Sequence, residues 1–313
     1  MKGISIIIPT FNREKYIANA IDSVLLQDYY GNLEILVSDD GSTDKTIEIV
    51  RKYGNKVRIL MKPKDCKTQG ASGARNRGLK ECKNDYISFL DSDDFFLPDH
   101  LNKMVKALES ESNLGFSFCR ILEMKEKKNG EMFRLWTKKE ITPRDIKYLI
   151  LSKHNVIQTN GFLIKREVFD NVGYFDENLK NGEDVDMWMR ISELYEGAFS
   201  DSYGAVIRKH GSGQLTDTTK SSLFHGHCTI FKNALKRCKK LSLPIDRFRY
   251  LKLNYIVYKY QVMGIPEINK INSILRGQMK DGNSEIWYKL DHFLIDEDLK
   301  NKSLHKFTSY GRD

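Results

Sequence analysis

Apolar residues cluster in short blocks separated by polar turns, and the spacing changes from block to block. Residues 4–8 form an apolar run closed by Pro9, the pattern of a strand buried on both faces. Residues 14–27 change period: Ile17, Ala20, Ile21, Val24 and Leu25 fall on one helical face. The alternation repeats. Strands are predicted at 33–37, 57–61, 86–90 and 115–122. Between them come a helix running to Arg51, which Thr43 or Asp44 would cap, and helices at 72–80 and 97–109, the last with Pro98 in its first turn. Residues 125–139 are charged and read as a loop or hairpin, 142–151 as a helix, 159–164 as a strand, 182–196 as a loop leading into a helix, and 205–209 as a strand. From about residue 218 the pattern is mostly helical, and Leu251, Tyr255, Val257, Tyr258 and Val262 mark a buried or partner-facing helix.

Strand and helix in alternation imply an α/β fold with a mostly parallel sheet flanked by helices. In such sheets ligands bind beyond the carboxyl ends of the strands. Polar clusters fall there: Thr10-Phe11-Asn12 after the first strand, Asp39-Asp40 after the second, and Asp91-Ser92-Asp93-Asp94 after the fourth. The expected organisation is an α/β domain over 1–218 and a helical region over 219–313.

Charge adds to this division. Residues 220–313 carry 18 Lys/Arg against nine Asp/Glu, which accounts for the whole net charge of +9. A basic tail is either a solvated helical surface or a face for an anionic partner such as lipid headgroups or a phosphorylated acceptor. Aromatic residues lie among the tail's basic ones, at Arg247-Phe248-Arg249-Tyr250 and Tyr258-Lys259-Tyr260. Peripheral membrane contact and a homo-oligomer are therefore both expectations, and nucleic acid is a weaker one. No stretch approaches the roughly 18 apolar residues that would cross a bilayer, and the first apolar run is too short for a signal-peptide core. Cys66, Cys82, Cys119, Cys228 and Cys238 are odd in number and form no CxxC pair, as suits reduced thiols. The expected compartment is the cytoplasm.

The chemistry sits in the acidic turns. Asp91 and Asp93, one residue apart at a strand end, offer hard oxygen ligands for Mg2+ or Mn2+, and such an ion neutralises a diphosphate leaving group. Surface turns and helix caps also use such triplets, so position after a buried strand is what raises the reading. Asp39 and Asp40 follow another strand; a carboxylate there accepts a base N–H or, alternatively, caps a turn. Pro9, Thr10, Phe11 and Asn12 would line the ring and ribose, Ser92 would stand beside them, and Arg75 would meet base or phosphate unless it is a surface arginine. Gly182-Glu183-Asp184 opens a helix, where Asp184 is the candidate general base and Glu183 a neighbour holding backbone or a sugar hydroxyl. Acidic residues also favour helix N-termini for their dipole alone. His210, after the strand at 205–209, would reach the metal or diphosphate. His225, His227 and Cys228 lie close together but lack a second cluster to complete a zinc site.

Taken as an ordered set, these elements resemble glycosyltransferase family 2, which has the GT-A fold. The carriers are Ile6-Ile7-Ile8-Pro9-Thr10-Phe11-Asn12, Val37-Ser38-Asp39-Asp40-Gly41-Ser42-Thr43-Asp44, Gly73-Ala74-Arg75-Asn76-Arg77-Gly78, Phe89-Leu90-Asp91-Ser92-Asp93-Asp94, Val172-Gly173-Tyr174-Phe175-Asp176-Glu177 and Gly182-Glu183-Asp184, spanning residues 3–212. The resemblance implies an inverting single displacement from a nucleotide-sugar, usually a UDP-sugar, onto an acceptor hydroxyl of a glycan, lipid-linked or protein acceptor. By the same resemblance Asp93 binds the metal directly, Asp91 lies near ribose and metal, Asp40 binds the base and Asp184 deprotonates the acceptor. Phe11 stands where a tyrosine is common, and the QxxRW signature of processive synthases is absent. Two other classes fit the sequence less well. A nucleotidyltransferase would need a glycine-rich first loop, which Pro9-Thr10-Phe11-Asn12 lacks. A non-catalytic binding module is opposed by the intact Asp93 and Asp184.

Overall fold

The computed structural model describes residues 2–66, 70–127, 130–135, 158–210, 220–240 and 262. The chain divides into two units, Met1–Asp217 and Thr218–Asp313.

In the first unit the sheet grows outward from β1 (Ile4–Thr10), which is buried at every position. Its apolar run leaves no face for water, so both faces must be covered and both edges paired. β2 (Leu33–Asp39) and β4 (Tyr86–Phe89) flank it in parallel, with Ile4 opposite both Leu33 and Tyr86. β3 (Arg58–Met61) continues one side. On the other follow β8 (Phe162–Lys165), β6 (Leu114–Lys127), β9 (Glu196–Lys209) and β5 (Phe95–Phe96), with β7 (Gly130–Leu135) paired to β6. Among the described strands, β5, β7 and β8 run against the common direction. The carboxyl ends of β1, β2 and β4 therefore open on the same edge.

Helices close both faces. α1 (Ile17–Leu25) buries Ile17, Ala20, Ile21 and Val24 of the face its spacing predicts, while Leu25, expected on the same face, is exposed at the helix's last turn. α2 (Thr46–Arg51) follows Asp44, whose carboxylate accepts the Thr46 N–H at 3.0 Å. α4 (His100–Leu108) buries Leu101, Met104 and Leu108 in the same core as Ile4, Ile6 and Ile8. α3 (Ala71–Glu81) covers the opposite face; a Cβ on Gly78 would lie 2.4 Å from Ile7 Cγ2, so only glycine permits this approach. On that face Phe89 meets Phe169, Phe175 and Trp188. Trp188 also stacks on Phe162 with ring centres 4.0 Å apart. These rings anchor α5 (Glu167–Val172) and α6 (Glu183–Leu194) to the sheet.

Several expected boundaries move. Pro98 precedes α4 rather than entering it, and residues 159–161 are a 3-10 turn before β8. β6 runs on to Lys127 and pairs antiparallel with β7, which favours the hairpin reading of 125–139 over the loop among the described residues. β9 begins at Glu196, well before 205, because β6 offers it a long parallel edge. The helix expected at 142–151 and nearly all of the one through 251–262 lie outside the described residues.

In the second unit α7 runs from Lys220 to Lys240. No helix among the described residues is long and apolar enough to cross a membrane.

Candidate active site

A cavity of about 830 Å3 opens at the carboxyl ends of β1, β2, β4 and β9. Pro9, Thr10 and Phe11 form one wall, Asp40 and Lys62 one end, and Asp91, Ser92, Asp93, Ile207 and Lys209 the other. Phe11 leaves 51% of its surface exposed there, an apolar plate beside polar groups. Thr10 is buried and its Oγ1 has no hydrogen-bond partner in the protein. Buried hydroxyls are seldom left unpaired, and this one stands in the cavity wall, where a ligand can supply the partner.

The two carboxylates at the end of β2 part ways. Asp39 turns inward and accepts the N–H of Gly41 at 2.9 Å and of Ser42 at 3.0 Å, together with the Ser42 hydroxyl. It fixes the turn and lies outside the cavity wall, so the alternative reading of a capped turn describes it. Asp40 faces the cavity. Its Oδ2 accepts the Gly70 N–H at 2.6 Å, and its Oδ1 lies 3.6 Å from Lys62 Nζ and 3.4 Å from Arg77 Nη2. Asn12, at φ 52°, also serves the loop: its Oδ1 accepts the Thr43 N–H at 2.8 Å and its own N–H donates to Ser42 Oγ at 2.9 Å.

The acidic turn after β4 is held from outside. The Asp91 N–H donates to Asn160 Oδ1 at 2.8 Å, while Asn160 Nδ2 donates to Asp94 Oδ2 at 2.6 Å. Asp94 Oδ1 accepts the Arg208 N–H at 2.8 Å, which ties the turn to β9. Asp91, Asp93 and Asp94 all line the cavity, with both Asp94 oxygens already engaged by Asn160 and the Arg208 amide. The cluster is electrostatically costly. Burial, then Asp93 and Asp91, push the Asp94 carboxyl well above the usual range; burial also raises Asp91, against the pull of Arg75. Such a cluster favours a cation. Asp93 Oδ2 already meets Arg13 Nε at 3.2 Å and His210 Nε2 at 3.0 Å, and His210 stacks on Tyr16 at 4.6 Å. Among the described residues no three His, Cys, Asp or Glu side chains are grouped to hold an ion. Asp93 and His210 meet each other at 3.0 Å, a carboxylate and an imidazole near Asp91. That donor set suits a divalent ion whose remaining ligands come from a bound diphosphate.

Arg75 is neither a surface arginine nor part of the cavity wall. It is 3% exposed, with Nη2 donating to Asp91 Oδ1 at 2.9 Å and Nη1 to Glu183 Oε1 at 2.9 Å. Its expected contact with base or phosphate is therefore replaced by two buried ion pairs. Through them it joins the acidic turn to the first turn of α6. There Asp184 is partly buried and its Oδ1 accepts the Val185 N–H at 2.8 Å. Burial first, then the neighbouring Glu183, push its carboxyl up to about 6, into the range where a carboxylate serves as base near neutral pH. The segment before α6 is bound in place by Asn76, which exchanges hydrogen bonds with the backbone of Phe175 at 2.9 Å in both directions. Arg190 also reaches the Tyr174 carbonyl at 2.8 Å. Sequence reasoning missed Asn160, Arg13 and Lys62. Arg13 and Lys62 lie close to expected elements, but no sequence signal marks Asn160.

A mostly parallel sheet with an acidic cavity at the ends of β1, β2 and β4 is the GT-A arrangement of glycosyltransferases. Residues 5–173, more than half of the chain, match the family model "Glycosyl transferase family 2", and the chain belongs to that family. It is similar to an uncharacterized glycosyltransferase of Rickettsia typhi, 33% identical over 228 residues that make up 70% of this chain and 68% of the relative. It also resembles the Escherichia coli UDP-Glc:alpha-D-GlcNAc-diphosphoundecaprenol beta-1,3-glucosyltransferase WfaP, 32% identical over 61% of this chain and 70% of that protein. Among solved structures, Staphylococcus aureus TarS 1-349 in complex with UDP-GlcNAc superposes with a TM-score of 0.64 at 22% identity, covering 83% of this chain and 73% of that one. The Pyrobaculum calidifontis mannosyltransferase PcManGT, in complex with GDP-Man and Mn2+, gives a TM-score of 0.57 at 17% identity over 96% and 87%. The likeness to these two structures concerns the fold. The chain is a glycosyltransferase.

Proposed function

We propose that this enzyme transfers a sugar from a UDP-sugar to an acceptor hydroxyl with inversion, assisted by Mn2+ or Mg2+. The observation that carries the reading is the division of the cavity. At one end stands Asp40 with an unpaired Thr10 hydroxyl and the Phe11 ring, and at the other the concentrated acids Asp91 and Asp93. Uracil presents a ring N–H between two carbonyl oxygens. Asp40 accepts that N–H, the Lys62 ammonium beside it donates to a carbonyl, and Phe11 covers the ring. Asp93 and His210 hold the metal, which when bound stabilises the departing diphosphate. Asp184 receives the acceptor's hydroxyl proton as the new glycosidic bond forms on the face opposite the leaving group. Relatives named for transfer onto a diphosphoundecaprenol-linked sugar and onto poly(ribitol-phosphate) support a bacterial glycan acceptor that itself bears phosphate. The excess of Lys and Arg over residues 220–313 suits the same chemistry.

The test is nucleotide release from UDP-, GDP- and dTDP-sugars, with and without Mn2+, in the presence of lipid-linked and polyol-phosphate acceptors. Metal-dependent release of UDP from one sugar is expected. Release that is equal with and without metal defeats the metal role, and a preference for GDP-sugars defeats the base assignment. A preference for dTDP-sugars keeps the Asp40 contact, since thymine carries the same N–H and carbonyls, and replaces only the nucleotide.

A further inference from the structure

Arg75 is one cation among three carboxylates drawn from two elements. Asp91 belongs to the turn after β4 and lines the cavity; Glu183 and Asp184 begin α6 and do not. The guanidinium is held at 2.9 Å by both Asp91 and Glu183, and the Phe175 ring lies 5.5 Å away. Asp184 stands within the same field. Arg75 lies outside the cavity wall, so it acts on a ligand through the groups it holds.

We propose, building on the donor pocket described above, that Arg75 is a positioning residue coupling the two ends of the reaction. A ligand that takes up the charge of Asp91 leaves Arg75 to the Glu183–Asp184 pair and readies Asp184 to accept the acceptor's proton. The reason is electrostatic. In a weakly solvated site one guanidinium paired with two carboxylates, and acting on a third from farther off, leaves negative charge uncompensated. The charged groups acting on Asp184 are Glu183 on its own helix, Arg75 from α3 and Asp91 from the turn; Arg75 favours its ionised form and the two acids oppose it. Screening Asp91 weakens one opposing charge and frees the favourable one. Asp184 then loses its proton to solvent, and that vacated oxygen later receives the hydroxyl proton. The donor end would thus arm the base before an acceptor is present.

The test needs no acceptor. UDP with saturating Mg2+ is titrated into the full chain near pH 6 in buffers of different ionisation heat, and the protons released on binding are read from the buffer dependence. The wild type is expected to release up to about half a proton beyond what Asp184→Asn releases, since Asp184 is about half protonated there, while protons displaced from Asp91, Asp94 and UDP itself are common to both proteins. Asp184→Asn is expected to bind UDP within a few-fold of wild type and to lose this release. Arg75→Lys, checked for folding by thermal denaturation, is expected to lose most of it. Where Arg75→Lys does not fold, Glu183→Gln serves: with one opposing charge gone, the release shifts to lower pH. An unchanged release in Asp184→Asn overturns the coupling, as does an unchanged release in folded Arg75→Lys or an unshifted profile in Glu183→Gln. Absence of UDP binding to the wild type defeats the donor pocket itself and the coupling with it. UDP binding without proton release defeats the coupling alone.

Discussion

The turns after β2 and β4 look alike in sequence, each a buried strand running into adjacent aspartates, yet they present opposite electrostatics to the same cavity. In the first, Asp39 is spent on backbone amides and Asp40 arrives already attended by Lys62 and Arg77. In the second, Asp94 is spent on Asn160 and the Arg208 amide. Three acids, Asp91, Asp93 and Asp94, line the cavity there against two arginines, Arg13 on Asp93 and Arg75 on Asp91, the latter shared with Glu183. Each turn sacrifices one carboxylate to shape the loop. What differs is the charge left over. A compensated carboxylate is suited to hydrogen-bond a neutral base, and an under-compensated cluster is suited to a cation.

Substitutions can break this contrast, and the largest effect is expected at Asp93. Asp93→Ala should lower kcat about 10^3-fold, with added Mn2+ failing to restore it. Retention of full turnover would remove the acidic turn from the chemistry. Next comes Asp184→Asn, with a fall in kcat of at least about 10^2-fold. The pH profile sharpens the assignment. Asp184 must be ionised to act, so wild-type kcat/KM should drop tenfold per pH unit below about pH 6, and the variant should lose this acidic limb. If donor binding arms the base, the corresponding limb in kcat lies at lower pH than that in kcat/KM.

Stability separates the braces from the ligands. Asp39→Ala removes a buried carboxylate that braces two backbone amides of a half-buried turn and should cost about 1 kcal/mol in urea denaturation. An equal loss in Asp40→Asn would show that Asp40, too, is chiefly a brace. The smallest effect expected is that of Asp40→Asn on catalysis: KM for the donor rises about tenfold while kcat changes little, the sign of lost binding common to ground and transition states.

Much of the sheet was legible because its determinants are local. Residues 4–8 cannot be anything but doubly buried, and the period shift at Ile17, Ala20, Ile21 and Val24 names a helix and its inner face. The stretch after 125 reads equally as loop or hairpin, since its charged residues carry no alternation; pairing with β6 decides it. The early part of β9 was missed for a related reason, because its strand character comes from the β6 edge.

The site divides in the same way. Sequence alone determined which acidic clusters fall at strand ends, because strand periodicity and chain order fix where each loop emerges. It did not determine which aspartate of a pair faces outward. That choice rests on donors distant in the chain: Asn160 for Asp94 and Asp91, Gly70 and Lys62 for Asp40, Glu183 for Arg75. A buried carboxylate turns toward whichever partners offset its desolvation, and only the folded chain brings those partners within reach.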